Sequence, residues 1–150
     1  MKYQKERIAD CTVDATMLGA MHWREVMSGP FRLNMVGYIN HEQRGKFAYY
    51  TARTDTGEIA GQAGFCIWRS NNSSRVQAVD DFYYVVPAHR NGFTAVRLLR
   101  CAINDLKVGG VDDIMLGHMV SRDLGPLLQR LGMVEAGAIY TFSNTMPTEE

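Results

Sequence analysis

The stretch VVPAHRNGFTAVRLLR, residues 85–100, has the residue types and the spacing of an anion-binding turn. An apolar run ends at Pro87, a turn with Asn91 and Gly92 follows, and a pattern typical of an amphipathic helix begins directly after it. A strand that enters a helix through a compact turn presents unpaired backbone N–H groups and the positive end of the helix dipole. Such a turn can hold a pyrophosphate, and nearby guanidinium groups can bond to its oxygens. The basic side chains within reach are Arg90, Arg97 and Arg100, although arginines on a helix face are more often simply solvated.

The same residues resemble the acetyl-CoA loop of the GNAT family of N-acetyltransferases. That loop reads roughly V-x-P-x-x-R-G-x-G-x-G/A and continues as x-x-L-L. The strand, the proline, the arginine, one small residue and the paired leucines agree with it, at Val85, Pro87, Arg90, Ala95, Leu98 and Leu99. Asn91 and Phe93 replace two loop glycines, as in some phage-encoded members of the family, and Gly92 stands one place early. The resemblance covers about residues 12–142.

The resemblance implies acetyl-CoA as the cofactor. Its pantetheine arm would lie along Val85 and Val86 like an added strand, and the amine acceptor would enter a splayed sheet from the opposite side. The residues that the resemblance assigns to cofactor binding are Val85, Val86, Arg90, Asn91, Gly92, Phe93, Thr94, Ala95, Arg97 and Ser121. Leu128 stands where many members have a tyrosine that protonates the departing thiolate, and a leucine cannot supply a proton.

Acetyl transfer to an amine needs a base, because an ammonium group has no lone pair with which to attack. Asp81 lies near the strand position where many GNAT enzymes have a catalytic glutamate, and alternation with Tyr83 would carry its carboxylate toward the cleft. Asp80 is the weaker candidate. His118 ends a predicted strand across the cleft, and an imidazole titrates near neutral pH. Tyr140 is a weak substitute for the missing acid, so the predicted catalytic residues are Asp81, His118 and Tyr140; each also has a purely structural interpretation, as a solvated or backbone-bonded side chain.

Periodicity and breaker residues predict the elements that must position these side chains. The order is helix (12–27), short helix (33–39), hairpin (47–53 with 59–69), central strand (76–86), helix (95–106), strand (114–119), helix (124–131) and strand (134–142). This order predicts one mixed α/β (α+β) domain over residues 1–150, with a sheet flanked by helices and a frayed tail at about 144–150. The GNAT resemblance adds that the sheet is mostly antiparallel and splayed between two central strands.

Composition excludes several classes of partner. A chain of 150 residues with sixteen basic and sixteen acidic residues has the size of one domain and no global field toward phosphate backbones, so nucleic acid is not expected. No apolar run is long enough for a membrane span, so no membrane is expected either. Three scattered cysteines without C-x-x-C spacing, and the lone pair His22 and Glu25, predict no metal site. We expect a cytoplasmic monomer or homodimer, in the host cytoplasm if a phage encodes it.

Functions of different classes remain open on the sequence alone. The first is an acetyl-CoA-dependent N-acetyltransferase with an unidentified amine acceptor. The second is a catalytically weak or inactive GNAT-like protein that binds and modulates another protein, such as a host protein targeted by a phage. The lost loop glycines and the missing acid are compatible with the second function. A small nucleic-acid module is a third interpretation, and it would depend on Arg90, Arg97 and Arg100 alone.

Overall fold

The computed structural model describes residues 1–118 and 123–141 of the chain. The strands are β1 (Lys2–Glu6), β2 (Phe47–Arg53), β3 (Ile59–Arg69), β4 (Val76–Val85) and β5 (Asp113–Met115). The helices are α1 (Thr12–Val26), α2 (Met35–Gln43), α3 (Thr94–Val108) and α4 (Gly125–Arg130), with short 3-10 turns at Ile8–Asp10 and Pro87–His89. No helix in this part of the chain is long and apolar enough to cross a membrane.

The strands form one sheet in the order β1-β2-β3-β4-β5. Neighbouring strands are antiparallel except β4 and β5, which run parallel. The predicted hairpin is formed by β2 and β3, and its turn includes Gly57 at φ +89°, a conformation that glycine adopts without steric cost. The predicted fold class, a mixed α/β fold with a mostly antiparallel sheet between helices, is confirmed.

Successive residues of β2 alternate between two cores, one on each face of the sheet. Tyr50 is fully buried and packs in the cluster that contains Leu99 of α3. Its neighbour Tyr49 is equally buried on the other face, in the cluster that contains Ile8 and Ala15 of α1. A strand covered on both faces reads as a nearly continuous apolar run, and β2 has that pattern.

The pairing between β4 and β5 is short. Only the segment 77–79 of β4 lies opposite the segment 113–115 of β5. Beyond Val79, β4 pairs with β3 alone in the described part of the chain, so its other edge is open along residues 80–85. This separation of the two parallel strands is the splay that the resemblance implied.

A β-bulge interrupts β4 at the start of the splay. Phe65 lies opposite Asp80 and Gly64 lies opposite Phe82, so Asp81 is an extra residue in the strand. A Cβ atom at Gly64 would lie 2.5 Å from the Phe82 ring, so glycine at this position leaves room for that ring to lie over β3. The bulge changes the direction of the side chains that follow it.

Two sequence predictions about the ends of the sheet are wrong. Residues 134–141, the described part of the predicted strand 134–142, lie outside every strand and helix; Val134 is 88% exposed and Ile139 is 93% exposed. An apolar alternation makes a strand only beside a hydrogen-bonded neighbour, and β5 already ends at Met115 instead of the predicted residue 119. The predicted tail at 144–150 lies outside the described residues. In contrast, the mostly polar β1 forms by pairing with β2, and no strand was predicted there.

Candidate functional site

The turn before α3 has backbone donors available for an anion. Gly92 takes φ +83°, and α3 begins two residues later at Thr94. The backbone N–H groups of Gly92, Ala95 and Val96 have no acceptor among the described residues. They lie at the positive end of a helix of 15 residues, where a phosphate oxygen is a favourable acceptor.

The side chain of Asn91 already accepts from two other backbone N–H groups of this turn and from one hydroxyl group. Its Oδ1 accepts from the Phe93 N–H at 3.0 Å, from the Thr94 N–H at 3.2 Å and from the Thr94 hydroxyl at 3.2 Å. This arrangement caps α3, and a cap of this kind contributes about 0.5–2 kcal/mol to stability. An anion that bonds these two N–H groups must therefore displace the Asn91 side chain.

Arg90 fastens the turn to α1. Its Nη2 donates to both carboxylate oxygens of Glu25, at 2.8 and 2.9 Å, and its Nε donates to the Val85 carbonyl at 2.8 Å. The guanidinium lies 5.1 Å from the centroid of the Tyr84 ring, and the Tyr84 hydroxyl also donates to Glu25 at 2.7 Å. The His22 ring stacks on the Tyr84 ring, with ring centroids 5.1 Å apart. The guanidinium predicted to contact a pyrophosphate is thus bonded to a carboxylate of the chain itself.

The remaining predicted cofactor residues surround this turn. Phe93 is 62% exposed, and the Arg97 guanidinium lies 5.8 Å from the centroid of its ring. Thr94 is buried, and the Val86 N–H donates to the Ala60 carbonyl at 2.9 Å. Ser121 lies outside the described residues. The structure therefore brings the predicted set together from Val85 to Arg97, while each residue's role in cofactor binding stays a prediction.

Asp80 faces the gap between β4 and β5. Its Oδ1 accepts from the Gly117 N–H at 3.1 Å, and the Gly117 carbonyl accepts from the Tyr83 hydroxyl at 2.6 Å. Burial raises the pKa of the Asp80 carboxyl from 3.8 to about 6, and the neighbouring Asp81 charge acts in the same direction. A carboxylate with this pKa is a stronger base than an ordinary aspartate, and it is still ionised at pH 7.

Asp81 points away from that gap. The premise that Asp81 and Tyr83 share a face is wrong, because the bulge breaks the alternation of β4. The Asp81 carboxylate is exposed and accepts a hydrogen bond from the Tyr38 hydroxyl of α2. Burial and the bond to Asp81 together raise the pKa of the Tyr38 hydroxyl. A catalytic role for Asp81 stays a prediction, and the geometry adds Asp80 as the better placed carboxylate.

The other two predicted catalytic residues differ in their surroundings. His118 follows Gly117 directly, and its Nε2 lies 3.7 Å from the Asp123 carboxylate. Tyr140 is 94% exposed and lies outside every helix and strand, so the structure does not join it to Asp80 or His118. Leu128, at the position where the family has its acid, is buried in α4. No group of three His, Cys, Asp or Glu side chains in the described chain could hold a metal ion.

A second concave region, which we call the α2 groove, was not predicted from the sequence. It has a volume of about 480 Å³. Three segments build it, 32–41, 46–47 and 66–68, so only the folded chain brings its residues together. They are Arg32, Leu33, Asn34, Gly37, Tyr38, His41, Lys46, Phe47, Cys66, Ile67 and Trp68. The one signal in the sequence was an aromatic residue, Trp68, near the end of a strand, and it is 42% exposed in the structure.

Comparison with known proteins identifies the fold. No protein-family model and no curated protein matches the chain. Among solved structures, it is similar to an aminoglycoside acetyltransferase from an uncultured soil metagenomic sample, solved in complex with sisomicin. The TM-score is 0.78 at 11% identity, over 97% of this chain and 96% of that one.

Two further solved structures give the same result. A predicted acetyltransferase from Clostridium acetobutylicum, solved with acetyl-CoA, has a TM-score of 0.75 at 13% identity, over 95% of both chains. Glucosamine-6-phosphate N-acetyltransferase from Arabidopsis thaliana has a TM-score of 0.73 at 14% identity, over 95% of this chain and 97% of that one. These neighbours are GNAT-family acetyltransferases, and at such identities the likeness establishes the GNAT fold.

Proposed function

We propose that the chain is an acetyl-CoA-dependent N-acetyltransferase that acts on an amine acceptor. The observation that carries this proposal is the continuity of two binding features. Among the described residues, the open edge of β4 beyond Val79 leads directly into the turn whose N–H groups at Gly92, Ala95 and Val96 lack acceptors. Acetyl-CoA is a ligand with amides in its pantetheine arm and a pyrophosphate farther along, so it matches both features in sequence. The fold shared with acetyltransferases supports the proposal.

The residues of the turn fit the cofactor with one condition. The N–H groups at Gly92, Ala95 and Val96, which have no acceptor within residues 1–118 and 123–141, would hold pyrophosphate oxygens, and Arg97 and Phe93 present a cation and an exposed ring beside them. Arg90 reaches a phosphate only if the phosphate replaces Glu25 as its partner. When bound, acetyl-CoA supplies an acetyl group activated as a thioester.

Asp80 is the proposed base. An amine acceptor is mostly protonated at neutral pH and must lose a proton before it can attack the acetyl carbonyl. Asp80 lies where β4 and β5 separate. Its carboxylate accepts from the Gly117 N–H, and the Tyr83 hydroxyl donates to the Gly117 carbonyl, so two side chains of β4 are bonded to the segment that follows β5. The Asp80 carboxylate would take one proton from the ammonium group, so that the neutral amine can attack the thioester carbonyl; the C–N bond would form as the C–S bond breaks. The attacking nitrogen would lose its second proton to water, and because Leu128 cannot supply a proton, water would also protonate the released thiolate.

A thermal-shift experiment with a linked transfer assay tests this function. A ligand at 100 times its dissociation constant stabilises the folded chain by about 2.7 kcal/mol, which raises the melting temperature by about 5–11 °C at this size. We expect such a rise with acetyl-CoA and with CoA, together with release of the CoA thiol when amines are added. ADP at equal concentration is the control for binding through the nucleotide diphosphate alone, without the pantetheine arm. No rise with millimolar acetyl-CoA would contradict the proposal and favour a protein that acts by binding another protein.

A further inference from the structure

The α2 groove is lined by basic side chains and by no acidic ones within the described chain. Arg32, His41 and Lys46 all line it. Neither Arg32 nor Lys46 has a carboxylate within 4.0 Å in the described residues, whereas Arg53 and Arg90 are each bonded to a carboxylate. An anion in the groove would therefore gain charge-assisted bonds without displacing an internal partner.

The groove wall also carries three aromatic side chains. Tyr38 and Phe47 are in contact there, with ring centroids 4.9 Å apart, and the exposed indole of Trp68 adds a third ring. The volume of about 480 Å³ is within the usual range for small-molecule sites, which are mostly apolar with a few placed polar groups. The groove therefore fits a small molecule that has an apolar body and an anionic group.

The groove also adjoins the β4 bulge. Tyr38 lines the groove and donates to Asp81, the residue next to Asp80. Cys66 lines the groove too, and the charges of Asp81 and Asp80 add to burial in raising the pKa of its thiol. The Asp81 carboxylate, which can attract an ammonium group, is thus bonded to a side chain that lines the groove, although Asp81 itself does not line it.

We propose that the α2 groove is the acceptor site and that the acceptor is a small amine with an aromatic or apolar body and a carboxylate or phosphate group. This inference depends on the proposed acetyltransferase function. Arg32 and Lys46 bind the anionic group, the rings of Tyr38 and Trp68 contact the body, and Asp81 attracts the ammonium group toward the bulge. Asp81 is then an acceptor-binding residue, distinct from the base.

Three matched probes test the charge preference. They are 4-(aminomethyl)benzoate, 4-(aminomethyl)phenylphosphonate and the neutral 4-(aminomethyl)benzamide. Binding is followed by NMR through the indole N–H of Trp68, without acetyl-CoA, so the result does not depend on cofactor binding. The Trp23 indole, bonded to the Gly29 carbonyl outside the groove, is the internal control. We expect an acidic probe to bind at least about tenfold more tightly than the benzamide, and the better of the two acids identifies the anion.

Variants and transfer rates complete the test. The preference should disappear in the double variant Arg32→Gln/Lys46→Gln and persist in Arg44→Gln, since Arg44 is exposed at the end of α2 but does not line the groove. The kcat/KM for acetyl transfer should follow the same order as the affinities. Equal binding of all three probes, a preference that survives the double variant, or equal kcat/KM on the benzamide would each overturn the inference. Failure of the proposed function is distinguishable, because it would abolish the acetyl-CoA thermal shift and leave probe binding intact.

Discussion

The turn before α3 and the α2 groove both present positive charge near β4, but they differ in whether that charge already has a carboxylate partner. In the turn, Arg90 is bonded to both oxygens of Glu25 and Asn91 caps the helix. In the groove, Arg32 and Lys46 have no carboxylate partner within the described chain. An anion that binds in the turn must displace internal partners, whereas an anion in the groove displaces only solvent from the exposed Arg32 and Lys46 side chains.

The internal bonds of the turn also have a benefit. Asn91 and Arg90 hold the turn and α3 in place without a ligand, so less order must be created when one binds. A sequence motif therefore indicates where an anion can bind, whereas the existing partners of the cations in that motif determine how tightly the anion binds.

The largest effect is expected from a change that touches neither region. Asp80→Asn should lower the rate of acetyl transfer by about 10²–10⁴, because it removes the base and keeps the shape of the side chain. Acetyl-CoA affinity, measured by calorimetry, should be unchanged. Asp81→Asn is the matched control and should weaken acceptor binding without abolishing turnover at saturation. Full turnover in Asp80→Asn would show that another group takes the proton.

The pH profile checks the same residue. The parent rate should rise as pH increases through about 6, because Asp80 acts as a base only in its carboxylate form. At higher pH, deprotonation of the amine acceptor in solution raises the rate further. The raised pKa also means that the contribution of Asp80 to stability is present below pH 3.8 and is lost as pH rises through about 6. Asp80→Asn should therefore melt higher than the parent above pH 6 and at the same temperature below pH 3.8.

A medium effect is expected in the turn at Arg90. If phosphate replaces Glu25 as its partner, Arg90→Ala should weaken acetyl-CoA binding about 10–100-fold, the range for hydrogen bonds to charged groups. Arg100→Ala is the control and should bind acetyl-CoA normally, since Arg100 is an exposed arginine farther along, within α3. Glu25→Gln should strengthen binding, since it weakens the competing partner. Unchanged affinity in both Arg90→Ala and Glu25→Gln would show that Arg90 only fastens the turn to α1.

The smallest effect is expected from removal of the cap. Asn91→Gly frees the N–H groups of Phe93 and Thr94, so acetyl-CoA affinity should rise by a few-fold while the ligand-free protein loses only a few tenths of a kcal/mol of stability. Asn72→Gly, in the exposed turn before β4, is the control for the glycine substitution itself. Weaker binding by a normally folded Asn91→Gly would mean that the asparagine side chain contacts the cofactor.

The sequence predicted most of the scaffold, including the turn that leads from β4 into α3. Amphipathic periodicity identified α3 because its apolar residues face a single core, and the Asp55–Gly57 turn signal identified the β2–β3 hairpin. Periodicity failed where tertiary context decides the outcome. The polar β1 forms only because β2 offers an edge, and the apolar segment 134–141 forms no strand in the described chain.

The candidate site was predictable only in part for a related reason. A bulge is a property of paired strands, so nothing local in Asp80 or Asp81 shows which carboxylate faces the splay. The α2 groove joins residues 32–47 with the segment 66–68, and the partner of Arg90 lies 65 residues away on α1. Long-range contacts of this kind determine which charges are free, and they are absent from any local pattern.

Backbone amide NMR during titration with acetyl-CoA tests the central claim most directly. Large chemical-shift changes are expected at the N–H groups of Gly92, Ala95 and Val96, because these three groups lack acceptors in the described chain. Changes are also expected along the edge of β4 that does not pair with β5. The amides of β1, at the far edge of the sheet, should stay unchanged. Saturable shifts elsewhere on the protein, with the three turn amides unaffected, would contradict the claim that this turn is the cofactor site.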